Sequence, residues 1–221
     1  MSLNEPGLGR TDYRLALYGA QLEPGGGVAF ERGTSVVVVR EGKVTAPGTD
    51  GDPVARQAGE AWVQRSPSRV VDDGASAWLN WWTLTPADEP MDDEGLLLAR
   101  VITVDTPTCL LRCDQVAFPP GGVAYLHTHA GPGIRTLISG TLRVETNGEV
   151  HEYVPGDSWF EPGPAPVFAA SSKFEGGAFL RVLVLPVAYK GRSSITYVRE
   201  EDRLKPKDQT YSIYLDEEAA L

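Results

Sequence analysis

Residues 121–140 read GGVAYLHTHAGPGIRTLISG, and this stretch decides the fold of the chain. A strand carrying His127 and His129 is followed by a Gly/Pro turn and then by a second apolar strand. Side chains in a strand alternate between two faces, so Tyr125, His127 and His129 are predicted to share one face. Two imidazoles at this spacing on a rigid strand can each offer a neutral nitrogen to a first-row metal. The stretch therefore predicts β structure with a candidate metal-binding face.

The spacing of these residues resembles the first signature of the cupin family. That signature runs Gly, five residues, His-x-His, three or four residues, Glu, six residues, Gly. Gly121, His127, His129 and Gly140 fall into register, whereas Gly133 occupies the Glu position. The resemblance implies a small β-barrel with both histidines facing its interior, and one usual metal ligand is missing.

A second cupin signature begins fifteen residues after Gly140. It runs Gly, five residues, Pro-x-Gly, two residues, His, three residues, Asn. Three positions match, namely Gly156, Asp157 and Pro162, and three are replaced, namely Pro164, Val167 and Ser171. Because Val167 stands where the third histidine is expected, two of the four usual metal ligands are absent. The resemblance implies the fold more directly than it implies the chemistry.

The two halves of the sequence resemble each other. Residues 24–30 (PGGGVAF) parallel residues 120–125 (PGGVAY), and residues 58–62 (AGEAW) parallel residues 155–159 (PGDSW). Matches in the same order with near-constant spacing indicate a duplicated unit. Short apolar strands between Gly, Pro and Asp turns also favour β structure. We therefore predict an all-β fold of two tandem cupin barrels of the double-stranded β-helix, or jelly-roll, type.

Composition suggests where the two barrels begin and end. Residues 87–95 (ADEPMDDEG) are acidic and contain Pro, which is typical of a solvated linker. This places the first barrel at 11–86 and the second at 96–190. Residues 191–221 then form a C-terminal extension with one predicted strand, expected to pair with the other barrel or with a partner subunit. The first barrel contains no histidine, so we expect it to be metal-free and to serve the structure or an interface.

Glu161 lies where the family pattern has an inward-facing aliphatic residue. A carboxylate inside a barrel needs a partner, because burying an unpaired charge is costly and raises its pKa. In one hypothesis His127, His129 and Glu161 hold one divalent metal, Fe, Mn, Ni or Zn, as in two-His-one-carboxylate centres. In the other, Glu161 hydrogen-bonds Tyr125 or pairs with Arg135, and no metal is bound.

Four further side chains are candidates for binding a small-molecule ligand. Arg135 is predicted to occupy the inward face that the missing Glu would have used. Its guanidinium is suited to hold a carboxylate or phosphate, although a structural ion pair is the alternative. Trp159 and Phe168 are predicted to line the same cavity, or to act as core aromatics. Tyr125 completes the predicted set.

Composition excludes several partners. The net charge of −10, from 20 basic and 30 acidic residues, opposes binding to nucleic acid or to anionic membranes. No apolar run approaches the length of a membrane span, and residues 1–10 lack the features of a signal peptide. We therefore expect a cytoplasmic protein with neither a nucleic-acid nor a membrane partner.

Three functional hypotheses remain open, and they leave enzymatic activity undecided. The first is a small-molecule-binding protein with a partial metal site in the second barrel. The second is an Fe- or Mn-dependent oxygenase, or an isomerase, acting on a small anionic substrate that Arg135 clamps. The third is a structural or regulatory cupin without metal, whose barrel is filled by side chains. Cupins often dimerise by strand exchange, so the resemblance also implies a homodimer.

Overall fold

The computed structural model describes residues 11–48 and 50–221, and its regular structure is almost entirely β. This part of the chain forms nineteen strands, one 3₁₀ turn at Val187–Tyr189 and one short helix, α1, at Glu200–Arg203. No helix in the described ranges is long and apolar enough to cross a membrane. Residues 1–10, which entered the prediction of a cytoplasmic location, lie outside those ranges.

The first half of the chain folds into two facing sheets that enclose an apolar interior. The larger sheet has the order β6-β3-β8-β1-β9, with the bounds β6 Ala61–Arg65, β3 Thr34–Glu41, β8 Ala77–Pro86, β1 Thr11–Leu22 and β9 Leu96–Val104. The smaller sheet has the order β2-β7-β4-β5, with the bounds β2 Gly27–Phe30, β7 Ser68–Asp72, β4 Lys43–Pro47 and β5 Pro53–Gln57.

The second half repeats this arrangement with one additional strand in its facing sheet. Its larger sheet has the order β15-β12-β17-β10-β19, with the bounds β15 Ser158–Glu161, β12 Gly133–Gly140, β17 Gly177–Leu185, β10 Thr108–Phe118 and β19 Thr210–Ala220. The facing sheet has the order β14-β13-β16-β11-β18, with the bounds β14 Glu149–Tyr153, β13 Leu142–Thr146, β16 Val167–Ser171, β11 Val123–His129 and β18 Ile195–Tyr197. The prediction of two tandem barrels is confirmed.

The edge strands differ from the predicted division of the chain. β9 was expected to open the second barrel, but it pairs with β1 and so belongs to the larger sheet of the first. β19 takes the equivalent place beside β10 in the second barrel and, in the part of the chain that the structure describes, does not pair with the first barrel. By strand pairing, the halves therefore meet between β9 and β10, and the C-terminal strand completes the second sheet.

A shared apolar core joins the two barrels. The larger sheets carry buried residues on both faces, which explains the apolar run at residues 36–39 of β3 and the burial of β17 along its whole length. One face of each sheet lines its own barrel interior. The other faces meet in a cluster that contains Leu17 and Val36 from the first barrel with Leu111, Ile134 and Val182 from the second. The two free cysteines of the described chain, Cys109 and Cys113, lie in this cluster.

Trp82 is the largest side chain in this shared core. It is 1% exposed and its Nε1 donates a hydrogen bond to the Ile134 carbonyl oxygen, 3.0 Å away, across the barrel interface. The indole therefore supplies both apolar contact and one polar tie between the barrels.

We predict that Trp82→Ala lowers the free energy of unfolding by about 3–5 kcal/mol, because it removes a large buried side chain and leaves a cavity. Trp78→Ala, on the same strand but at a side chain that is 38% exposed, should cost less than about 1 kcal/mol. Urea unfolding followed by circular dichroism measures both. Equal losses in the two variants would show that the shared core does not dominate stability.

Candidate functional site

The predicted polar residues of the second barrel come together at one end of its interior. β11 carries His127 and His129, and both are buried. β12 and β15 lie side by side, with Arg135 opposite Trp159 and Gly133 opposite Glu161. Strand alternation thus points Arg135, Trp159 and Glu161 to the same interior as the histidines.

The distances define a compact cluster centred on Glu161. His129 Nε2 lies 3.2 Å from His127 Nε2 and 3.2 Å from Glu161 Oε2. Arg135 Nη2 lies 2.6 Å from the same carboxylate oxygen, in an ion pair. Trp159 Nε1 donates to the other oxygen, Oε1, at 2.9 Å. The carboxylate therefore has a cation on one oxygen and an indole donor on the other.

Burial and pairing set the charges in this cluster. Burial lowers the pKa of His127 and lowers the pKa of His129 to about 3, so both imidazoles are neutral at physiological pH. Burial alone would raise the pKa of Glu161, but Arg135 and His129 hold it well below its usual range. Burial also lowers the pKa of Arg135 to about 10, which leaves it protonated. The cluster is thus one ion pair beside two neutral rings.

The tautomer of His127 follows from its backbone contact. His127 Nδ1 lies 2.7 Å from the Tyr125 carbonyl oxygen, so a neutral ring places its proton on Nδ1. Nε2 then carries a lone pair, which the Nε2–H of His129 faces at 3.2 Å. The same His129 Nε2 also faces Glu161 Oε2 at 3.2 Å, and the buried Nδ1 of His129 has no hydrogen-bond partner among the described residues.

A second ion pair lies in the same barrel. Arg181 donates to Asp114 through Nε at 2.7 Å and through Nη2 at 3.1 Å, and both side chains are buried. Such a two-point contact matches the guanidinium to the carboxylate and neutralises both charges. The interior therefore contains two arginines, each paired with its own carboxylate.

The missing Glu of the first signature has a steric explanation. A Cβ built on Gly133 would lie 2.5 Å from the Val182 carbonyl oxygen and 2.6 Å from a Leu183 methyl carbon. Since Cβ atoms are not found this close to backbone oxygen, β12 and β17 could not keep their present separation around a side chain there. Arg135 Nη1 donates to the Gly133 carbonyl at 2.6 Å, so the guanidinium covers this position.

The cluster does not fit a three-ligand metal centre. The nitrogen pair is nearly suitable, since two ligands of a tetrahedral metal at 2.0–2.1 Å lie about 3.4 Å apart. The carboxylate oxygen that would be the third ligand is already 2.6 Å from the Arg135 cation, which would repel a metal ion. Among the described residues, no group of three or more His, Cys, Asp or Glu is arranged to hold a metal.

The interior of the second barrel is nearly full. The free space beside the cluster is about 20 Å³. This volume accommodates one water molecule and no organic ligand. Aromatic packing fills the rest, with the Trp159 ring stacked on Tyr153 at 4.5 Å and meeting Phe179 edge-on at 5.3 Å.

Comparison with known proteins identifies this barrel. Residues 115–166 match the family model described as "Cupin domain". The second barrel is a cupin domain. No curated protein matches the sequence significantly.

Solved structures agree with a cupin fold for the whole two-barrel chain. Oxalate decarboxylase from Bacillus subtilis is 13% identical, with a TM-score of 0.61 over 87% of this chain and 72% of that one. AerE from Microcystis aeruginosa is 14% identical, with a TM-score of 0.56 over 83% and 95%. YhaK from Escherichia coli is 14% identical, with a TM-score of 0.53 over 80% and 94%. At these identities the likeness shows the fold alone.

Two predicted ligand-binding residues of the cupin domain do not face its interior. The pairing of β11 with β16 shifts register between Ala124 and His127, so Ala124 lines the cavity and Tyr125 does not. The Tyr125 ring lies instead against Lys205, whose Nζ is 4.6 Å from the ring centre. Phe168 alternates with the buried Val167 and Ala169, which places its ring on the opposite face of β16.

The first barrel contains a large cavity that is open to solvent, where the sequence predicted only a structural unit. Its volume is about 820 Å³. One wall is the antiparallel pair of β1 and β8, on which Arg14 lies opposite Thr85, Ala16 opposite Thr83 and Tyr18 opposite Trp81. The residues of these three pairs all line the cavity.

The segment 87–95, which was predicted to link the barrels, borders this cavity as the connection from β8 to β9. Pro90, Met91, Asp92, Glu94 and Gly95 contribute to its lining. Arg14 donates through Nη1 to the Glu89 carbonyl at 2.7 Å and through Nη2 to the Ala87 carbonyl. Residues 87–95 therefore join β8 to β9 within the first barrel and form part of the chamber wall. A sequence signal for the chamber does exist, since Ala16 and Ala20 place small side chains on the inward face of a long strand.

We predict that Arg135→Met lowers the free energy of unfolding by about 3–5 kcal/mol, because it leaves the Glu161 carboxylate buried without its cation. Arg135→Met/Glu161→Gln removes both charges and should recover most of that loss. A double-mutant cycle by urea unfolding in the presence of a chelator gives the coupling energy. Additive losses would contradict the ion pair as the organising contact of the cluster.

Proposed function

We propose that this cupin-domain protein binds a small organic molecule in its first barrel, while the second barrel is a closed supporting unit. The observation that carries the proposal is the contrast in free volume, about 820 Å³ in the first barrel against about 20 Å³ in the second. Ligand cavities in proteins commonly have volumes of roughly 300–1,000 Å³. The proposed ligand site therefore lies in the first barrel, which contains no histidine, and not beside His127 and His129.

The lining of the first chamber supports ligand binding. Tyr18, Phe30 and Trp81 form an apolar end, and Arg14 and Thr85 add polar groups on the same wall. An aromatic surface combined with convergent polar groups is typical of small-molecule sites. A purely structural barrel would be expected to fill this space with side chains, as the second barrel does.

The test uses 1-naphthamide, an uncharged aromatic probe, with isothermal titration calorimetry. We expect wild-type protein to bind it and Ala16→Phe to abolish binding, because the added ring occupies the middle of the chamber. Val101→Phe, which adds the same ring at an exposed position of β9, should bind as wild type does. Thr83→Leu fills the same wall from the neighbouring strand and replaces Ala16→Phe if that variant does not fold. Binding that survives both filling variants would contradict the proposal.

A metal at the two histidines is a second candidate, favoured by the 3.2 Å separation of their Nε2 atoms. An oxygenase or isomerase at this centre would need its substrate beside the ion, and 20 Å³ does not accommodate one. The candidate therefore concerns an ion held in the cupin domain without an organic substrate in the same barrel.

Elemental analysis of purified protein after incubation with Fe(II), Mn(II), Ni(II) or Zn(II) and dialysis tests this candidate. Since Arg135 pairs with the Glu161 oxygen that would be the third ligand, we expect no metal to be retained by wild type or by His127→Ala/His129→Ala. One metal per chain in wild type and none in the double variant would instead establish the centre. The homodimer and the cytoplasmic location stay predictions.

A further inference from the structure

We infer that the ligand of the first barrel is a small organic anion with a planar ring. The inference rests on the proposed function and adds the chemical class of the ligand. It follows from the order of side chains along one wall of the chamber, which runs from aromatic through small to cationic.

The aromatic end offers a flat surface. The rings of Tyr18 and Trp81 are stacked, with centroids 5.3 Å apart and an angle of 6° between their planes. Phe30 meets Trp81 edge-on at 6.0 Å. The next pair along the wall, Ala16 and Thr83, carries small side chains and leaves room above this surface. A planar ring can therefore lie against the aromatic group with good contact.

The opposite end carries a positive charge with no anionic partner. Arg14 is half-buried, and its guanidinium donates hydrogen bonds to the neutral carbonyl groups of Ala87 and Glu89. In the part of the chain that the structure describes, none of the ion pairs involves Arg14. A guanidinium held in a partly desolvated wall attracts a carboxylate or phosphate strongly. Arg32 and Arg69 also lie on the lining, but both are exposed, so water and salt screen their charges.

Acidic residues also border the chamber, and they define the competing ligand class. Asp92 and Glu94 lie on the exposed linker, and Asp92 Oδ1 accepts a hydrogen bond from the Glu94 amide at 3.0 Å. Glu23 and Glu31 are also exposed. Exposed charges are screened by water and salt, whereas Arg14 on the barrel wall is screened less. The anion is therefore favoured over an organic amine.

Three probes that share one ring system test the inference: 1-naphthoate, 1-naphthamide and 1-naphthylmethylamine, titrated at pH 7.5. We expect wild type to bind 1-naphthoate at least about tenfold more tightly than 1-naphthamide, and the amine most weakly. Arg14→Gln keeps an N–H donor for the linker carbonyls and removes the charge, so it should bind both 1-naphthoate and 1-naphthamide with similar affinity. Arg14→Lys should retain part of the preference. Arg100→Met, which removes an exposed arginine of β9, is the matched control and should behave as wild type.

The outcomes separate this inference from the proposed function. Equal affinity for 1-naphthoate and 1-naphthamide, or tighter binding of the amine, overturns the ligand class but leaves the chamber intact if Ala16→Phe blocks binding. A preference for 1-naphthoate that persists in Arg14→Gln overturns the role of Arg14. No binding of any of the three probes overturns both the ligand class and the chamber.

Discussion

The contact between the two larger sheets is the constraint on which the rest of the structure depends. Each sheet is buried on both faces, one toward its own barrel and one toward the other barrel. Trp82 crosses this contact and bonds to the backbone of Ile134, next to Arg135 on β12. The strands that position the cupin-domain cluster are therefore held from behind by the first barrel. Neither barrel could expose this apolar face to water without a large loss of stability.

The duplicated barrels have equivalent strand orders, but the interior of the second is filled by side chains and the interior of the first contains a cavity. In the second barrel, two arginine–carboxylate pairs, two neutral histidines and stacked aromatic rings occupy the space. In the first barrel, alanines at 16 and 20 leave a chamber bounded by the linker. Because buried charges must be paired, the charged side chains inside the second barrel form ion pairs with one another. The arginines that line the first chamber can instead pair with a charged group of a ligand.

Most of the polar cluster in the cupin domain was predictable from the sequence. The His127 and His129 side chains, Arg135, Trp159 and Glu161 were all placed inside the barrel by strand alternation, and the structure brings them together. Of the two hypotheses for Glu161, the contact with Arg135 is the one that the geometry displays. Tyr125 and Phe168 were misplaced because alternation holds only while a strand is regular and its phase is known, and β11 contains a register shift.

The sequence by itself determined the all-β class, the tandem repeat and the face on which the histidines lie, because these follow from local periodicity and turn residues. Only the tertiary structure decided which barrel has room for a ligand, since a cavity is what remains after side chains from many strands have packed. The tertiary structure also decided the strands at the sheet edges, since β9 pairs within the first barrel and β19 pairs within the second. Strand partners far apart in sequence are chosen by nonlocal packing, which no local pattern records.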